Sequence, residues 1–238
     1  MTVRARTGGT AFTIVRMPRH VAFLHTSPVH LETFDRLVKA ADPAIQAEHV
    51  IDEALLSDAR RIGVDDPALV QRIHKAMTAA ASNGATVVVC TCSTIGGVAE
   101  RTPTRPGLAV ARIDRAMADR AVRLGPRILI VAALQSTLEP TAQLIRESSR
   151  ALQIEVSLQT LWVDGAWPAF ERGDRDAYIG AVVAAVRCAP RSFDVVVLAQ
   201  ASMAAAADEL RDLGTEVLSS PQLGVHALLA VLQGGVPD

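Results

Sequence analysis

Short apolar runs alternate with amphipathic stretches along the chain. The runs VAFLH (21–25), AEHVID (47–52), ATVVVCT (85–91), LAVARI (108–113), RILIVAA (127–133), VSLQTLWV (156–163), FDVVVLA (193–199) and TEVLSS (215–220) have the length and β-branched content of strands. Between them, Asp65-Asp66-Pro67 caps a helical pattern that runs to about Ser82, with Leu69, Ile73 and Met77 on one face. Asp174 opens another through Arg187, with Tyr178, Val182, Val183 and Val186 inside. Strands separated by helices of this kind make βαβ units and a mostly parallel sheet, so the chain is predicted to be an α/β protein.

The pattern also repeats. VVVCTCSTIGG (87–97) and VVVLAQASMAA (195–205) each run from a β-branched strand through small polar residues into an Ala-rich stretch, and Cys92 falls on Gln200 at an offset of 108. VAFLHTSP (21–28) matches ILIVAALQ (128–135) at 107, VIDEALLSD (50–58) matches WVDGAWPAF (162–170) at 112, and RIDRAMADRAV (112–122) matches LSSPQLGVHAL (218–228) at 106. Val- and Ala-rich α/β segments resemble one another by composition, but four pairs in the same order at nearly one offset point to a duplication. The expected architecture is two pseudo-symmetric Rossmann-like lobes with a cleft between them. The first lobe is expected over 18–115 plus about 215–238 and the second over 116–214, with 1–17 a disordered extension and Met17 an alternative start.

Composition narrows the function. The net charge of −1 gives no field for nucleic acid or an anionic membrane, and 3% aromatics give no stacking platform for bases. The longest apolar runs are strand-sized, so no membrane span is expected. Three cysteines, Cys90, Cys92 and Cys188, without a signal peptide suggest the cytoplasm. The oligomeric state is left open, a homodimer being the commonest assembly.

Ligands of such folds bind beyond the carboxyl ends of the strands. The loops expected to converge carry His25-Thr26, Asp52-Glu53, Cys92-Ser93-Thr94, Ser136-Thr137, Asp164-Gly165 and Gln200-Ala201-Ser202. Cys92 stands where a strand gives way to a helix, whose first N–H groups favour a thiolate and a nearby anion. Cys90, flanked by Val within its strand, reads as core, and Cys188 as structural. A CxC pair without further Cys or clustered His is a weak zinc signal, so no metal is assigned. His25, at a strand end, is a candidate base or donor, or a loop residue with neither role. Neither GxGxxG nor GxxxxGK[ST] occurs, which favours chemistry without a cofactor.

LHTSPVHLETF, VIDEALL, TCSTIGG, RIDRAMADRAV, RILIVAALQSTLEPT, VVVLAQASMA and SSPQLGV, in this order over roughly 20–230, resemble the aspartate/glutamate/hydantoin racemase superfamily. The resemblance implies two α/β lobes around a cleft, no cofactor, and proton transfer beside a carboxylate by one cysteine from each lobe. Cys92 falls on the first of these, with Ser93-Thr94 replacing the usual Asn-Thr. The second lobe's Gly-Cys-Thr-His becomes Ala199-Gln200-Ala201-Ser202. Its Thr-x-x-Thr becomes Ala133-Leu134-Gln135-Ser136, and the first strand's Asp-Ser becomes His25-Thr26.

A carboxamide does not titrate near neutral pH, so Gln200 can donate hydrogen bonds but cannot be a second base. One expectation is a small-carboxylate racemase or isomerase in which Cys92 is the acid/base and His25 or Asp52 replaces the lost cysteine. Thr26, Asp52, Ser93, Thr94, Ser136, Thr137, Gln200, Ala201 and Ser202 would bind the substrate. Alternatives are one-sided protonation, as in the superfamily's arylmalonate decarboxylases, a carboxylate binder without catalysis, and a covalent role for Cys92.

Overall fold

The computed structural model describes residues 19–190 and 192–232; the extension expected over 1–17 lies outside them. Its strands are β1 (Arg19–His25), β2 (Ile45–Ile51), β3 (Val87–Cys90), β4 (Ala109–Arg112), β5 (Arg127–Ala132), β6 (Ser157–Trp162), β7 (Val195–Leu198) and β8 (Glu216–Ser219). Each coincides with an expected run. The helices are α1 (Leu31–Ala41), α2 (Glu53–Ile62), α3 (Pro67–Ala80), α4 (Ser93–Glu100), α5 (Arg115–Leu124), α6 (Gln135–Leu152), α7 (Ala166–Glu171), α8 (Arg175–Cys188), α9 (Ala204–Glu209) and α10 (Ser220–Leu232). Single 3-10 turns occupy Pro28–His30 and Ala201–Met203.

Local chemistry explains the boundaries. The Asp66 carboxylate accepts from the N–H groups of Ala68 and Leu69, and Pro67 supplies a first helical residue that needs no acceptor, so α3 begins there. Asp174 caps α8 through Ala177 N at 3.1 Å. The middle strands VVVC and VVVL are buried along their whole length, as strands covered on both faces must be.

The strands form two parallel sheets of identical order, β2-β1-β3-β4 and β6-β5-β7-β8. Their registers superpose. Val21 lies beside Val87 in the first sheet and Ile128 beside Val195 in the second, so counterparts stand 107 and 108 residues apart. The edge strands follow at 111, from Ala47 and Leu158, and at 107, from Ala109 and Glu216. The last spacing places Pro221, rather than Ser220, at the position of Asp114.

Each sheet is covered on both faces. Leu55, Leu69, Ile73, Met77 and Ile95 cover one face of the first sheet. Phe34 and Val38 from α1, with Val225 and Leu228 from α10, cover the other. Tyr178, Val182, Val186 and Ala206 cover one face of the second sheet, and Met117, Ala121, Leu144 and Ile145 the other. The lobes therefore exchange their last helices: α5 follows the first sheet but packs on the second, and α10 does the reverse. At Gly224 a Cβ would lie 2.2 Å from the Ile113 carbonyl oxygen, so α10 crosses at a point where only hydrogen fits.

This exchange corrects the expected division of the chain. Glu216–Ser219 pairs with β7 in the second sheet, so the return to the first lobe begins with α10 and not at 215. The sequence pattern could not place the crossing, because β8 and α10 follow one another without a loop. Among the described residues, no helix is long and apolar enough to cross a membrane.

Candidate active site

The site is built from the residues that follow the carboxyl ends of the two middle strands of each sheet. In the first lobe β3 ends at Cys90, Thr91 is buried, and Cys92 takes the N-cap position of α4, half-buried. Strand alternation alone would put both thiols on one face; they part because β3 ends at Cys90 and Cys92 already belongs to the start of α4. The Cys90 sulfur turns back into the core, 3.6 Å from the Cys92 carbonyl, and burial, reinforced by nearby Cys92, pushes its thiol far above the ordinary range. Cys92 faces the cleft, beside the N–H groups that open α4.

A buried ion pair holds this turn. Arg112, at the end of β4, grips Asp114 through Nε at 2.6 Å and Nη2 at 3.0 Å, and donates to the Ser93 carbonyl at 3.3 Å. Burial disfavours the Asp114 charge, but the guanidinium more than compensates and holds the carboxyl below its ordinary value. Gly96 makes room for this group: a Cβ there would lie 2.9 Å from Arg112 Nε. The glycine in STIGG therefore serves the brace beneath Cys92.

The second lobe uses the same turn differently. Gln200 precedes the Ala201–Met203 turn as Cys92 precedes α4. Its Oε1 accepts from the backbone N–H groups of Ala133 at 2.7 Å and Leu134 at 3.2 Å. Two donors fix the amide orientation, so Nε2 is the end left over, and it has no protein partner among the described residues. In the first lobe the corresponding N–H groups belong to Thr26 and Ser27, which line the cleft. No protein acceptor meets them among the described residues.

The cleft is narrow, about 40 Å³, which holds a few water molecules. Thr26, Ser27, Thr91, Cys92, Ser93, Thr94, Thr137, Gln200, Ala201 and Ser202 contribute its polar and small surface, and Leu56, Leu134 and Trp167 its apolar surface. Thr94 on α4 and Thr137 on α6 meet across the lobes at 2.9 Å between hydroxyl oxygens. Arg60 on α2 reaches Glu171 on α7 at 3.3 Å and lies 5.9 Å above the Trp167 ring, a second clasp between lobes. Among the described residues, Cys92 and His30 are the titratable side chains on the wall, and no Lys, Arg, Asp or Glu lines it. Burial lowers His30 to about 4, so its imidazole is neutral at pH 7. Beyond His30, Ala201 and Ser202 the cleft meets an open groove of about 1040 Å³ between α1, α9 and α10.

Three expected site residues stand elsewhere. His25 is fully buried and off the cleft wall: alternation along β1 puts it on the same face as Val21 and Phe23, toward α1, stacked on Phe23 and His49. Asp52 ends β2, the outer strand of its sheet, two strands from Cys92, and Leu56 one turn later reaches the cleft instead. Ser136 precedes Thr137 on α6, and one residue is about 100° of helix; Thr137 faces the cleft and the Ser136 hydroxyl is buried away from it. Sequence reasoning missed Ser27, His30, Leu56, Thr91 and Leu134 as wall residues. His30 stood within LHTSPVH, and its turn packs on the Ala201–Met203 turn of the other lobe.

Known proteins place this arrangement. The family model described as Asp/Glu/Hydantoin racemase matches residues 24–228. The aspartate racemase of Picrophilus torridus is similar in structure, with a TM-score of 0.67 at 13% identity over 90% of this chain and 94% of that one. Allantoin racemase from Pseudomonas fluorescens gives 0.59 at 17% identity over 92% and 93%. An arylmalonate decarboxylase gives 0.56 at 18% over 91% and 94%. No curated protein matches the sequence.

Proposed function

The chain belongs to the Asp/Glu/hydantoin racemase family, a family of enzymes, and from that premise we propose that it catalyses cofactor-independent proton transfer at a carbon α to a carboxylate, with Cys92 as the acid/base. The observation that carries this is the composition of the cleft wall among the described residues: one thiol, one neutral imidazole, and otherwise only uncharged donors and apolar groups. Such a wall offers a proton acceptor and a set of hydrogen-bond donors without a competing charge.

The roles follow from placement. Cys92, at the N-cap of α4 and facing the cleft, is the group placed to take the α-proton. A substrate carboxylate rests on the N–H groups of Thr26 and Ser27, which have no protein acceptor among the described residues, while the Gln200 amide donates from the other lobe. Each well-placed donor to the developing enolate contributes on the order of 3–4 kcal/mol. Gln200 holds the position of the family's second cysteine, so His30, neutral and against the second lobe's turn, is the wall's other proton-exchanging group: it returns its N–H proton from that side and regains one from solvent. The cleft is too small for a substrate in this state, so entry requires the Thr94–Thr137 contact to open, with the groove beyond Ser202 as the approach.

A second reading has one observation in its favour. Gln200 cannot titrate and its carbonyl is fixed on two backbone amides, so protonation from the Cys92 face alone, after loss of CO₂ from a malonate-type substrate, also fits. Incubation in D₂O with amino acids, hydantoins and substituted malonates separates the two. Racemisation exchanges the α-hydrogen and scrambles the stereocentre; decarboxylation releases CO₂ and leaves one deuterium in one enantiomer. His30→Asn should leave exchange at one face and lower racemisation about 100-fold. If neither reaction occurs with the whole panel, the proposal fails.

A further inference from the structure

Thr91 and the two histidines behind it form a buried chain that neither reading uses. Thr91 lies on the cleft floor between the two cysteines and is 3% exposed. Its Oγ1 is 2.8 Å from His25 Nδ1, and His25 Nε2 is 2.8 Å from His49 Nδ1. Phe23 stacks on both rings, with centroids at 6.0 and 5.4 Å, and Phe34 tilts against His25 at 5.6 Å. Burial first, then His49 and His30, lower His25 to about 3; burial also lowers His49, opposed by Asp35 and aided by Lys39 on α1. Both rings are therefore neutral at pH 7, and each carries one N–H.

A chain of neutral groups can point its hydrogens in either direction, and two observations choose between them. First, Thr91 Oγ1 is 3.2 Å from the Leu24 carbonyl oxygen, which can only accept. The hydroxyl hydrogen goes there, so Oγ1 accepts from His25, and His25 carries its proton on Nδ1. Secondly, His49 Nε2 is buried without a partner among the described residues. A buried N–H without an acceptor is rarer than a buried lone pair without a donor, so the His49 proton also sits on Nδ1, pointing at His25 Nε2. Both imidazole N–H groups then point toward Thr91, on the cleft floor.

We infer that Thr91 is a hydrogen-bond donor to a substrate oxyanion, its direction set by the His49–His25 pair. One of its two lone pairs is occupied by His25 Nδ1–H, which leaves the hydroxyl hydrogen as the group Thr91 can offer to an anion. The Leu24 oxygen already receives the Thr91 backbone N–H at 3.0 Å, which makes the hydroxyl bond the second and longer one. Rotation about Cβ–Oγ1 alone transfers the hydrogen to an anion in the cleft. His25 and His49 touch no substrate and act as positioning residues. The donor's role in catalysis rests on the proposed function; the proton positions do not.

The test is imidazole ¹⁵N spectroscopy of the whole protein with His25 and His49 assigned, combined with titration of malonate as a probe anion. Both histidines protonated on Nδ1, and malonate binding weakened about tenfold by Thr91→Val but preserved by Thr91→Ser, are expected. His25 protonated on Nε2 would overturn the direction of the chain. Malonate binding equal in Thr91→Val and wild type, or absent from the wild type, would overturn the donor role. The ¹⁵N readout stands even if no substrate is turned over, so it fails separately from the assignment of Cys92.

Discussion

The two lobes share a sheet order and a register, yet the turn after the third strand of each does opposite things. Cys92 leaves the amides of Thr26 and Ser27 open to a ligand, whereas Gln200 fills the matching amides of Ala133 and Leu134 with its own carbonyl oxygen. A side-chain amide thus stands where a ligand carboxylate would stand by symmetry, and its spare N–H₂ becomes part of the cleft. Beneath the first turn lies the Arg112–Asp114 pair, while the second lobe has Ser219 at the register of Arg112. On the proposed function, a duplicated site divides its labour here: one copy holds the thiol and the brace beneath it, and the other is a neutral wall.

The sharpest way to break this comparison is to remove the residue unique to each turn. Cys92→Ala should lower α-proton exchange about 1000-fold, within the range for loss of a general acid/base. Gln200→Ala should lower it less, about 10-fold, and cost about 1–3 kcal/mol of stability in denaturant melts, because two buried N–H groups lose their acceptor. The brace comes next. Asp114→Asn leaves a buried guanidinium without its counter-charge and should destabilise the fold by about 3–5 kcal/mol, read as a lower Tm.

Acid should distinguish the lobes as well, since the second has Ala132 at the register of His25. Above pH 6.5 His25 is neutral in folded and unfolded chains, and its full contribution is present. Below 6.5 the unfolded chain binds a proton that the folded chain refuses down to about pH 3. Stability should therefore fall by about 1.4 kcal/mol per pH unit in that window, and urea melts of His25→Asn should show a flatter dependence. The smallest effect is expected at Ser220, whose buried hydroxyl has no partner among the described residues. Ser220→Ala should leave Tm unchanged or slightly raised, within about 0.5 kcal/mol.

Much of this was legible before any coordinates. The eight strands, the offset near 108 and the pairing of Cys92 with Gln200 all follow from hydrophobic runs that end in polar turns, because parallel strands buried on both faces leave a strong signature. What failed was direction. His25 looked like a cleft residue because it ends a strand, but alternation with Phe23 turns it inward. Ser136 and Thr137 are adjacent in sequence and differ by the rotation of one helical residue. Asp52 follows the outer strand, a position that depends on strand order rather than on any local pattern. His30 was hidden for the converse reason: it reaches the cleft from a short turn that packs on a turn of the other lobe. The crossing of α10 likewise depends on Gly224 meeting Ile113, a contact between distant segments.

The central assignment is that the acid/base function resides in the Cys92 turn and not in its counterpart. Exchange of the α-hydrogen in D₂O, followed by proton NMR across the same panel of amino acids, hydantoins and malonates, measures this for wild type, Cys92→Ala and Gln200→Ala side by side. Exchange that is lost about 1000-fold with Cys92→Ala and persists with Gln200→Ala is the predicted result. Exchange that survives in Cys92→Ala, or that vanishes only in Gln200→Ala, would contradict it.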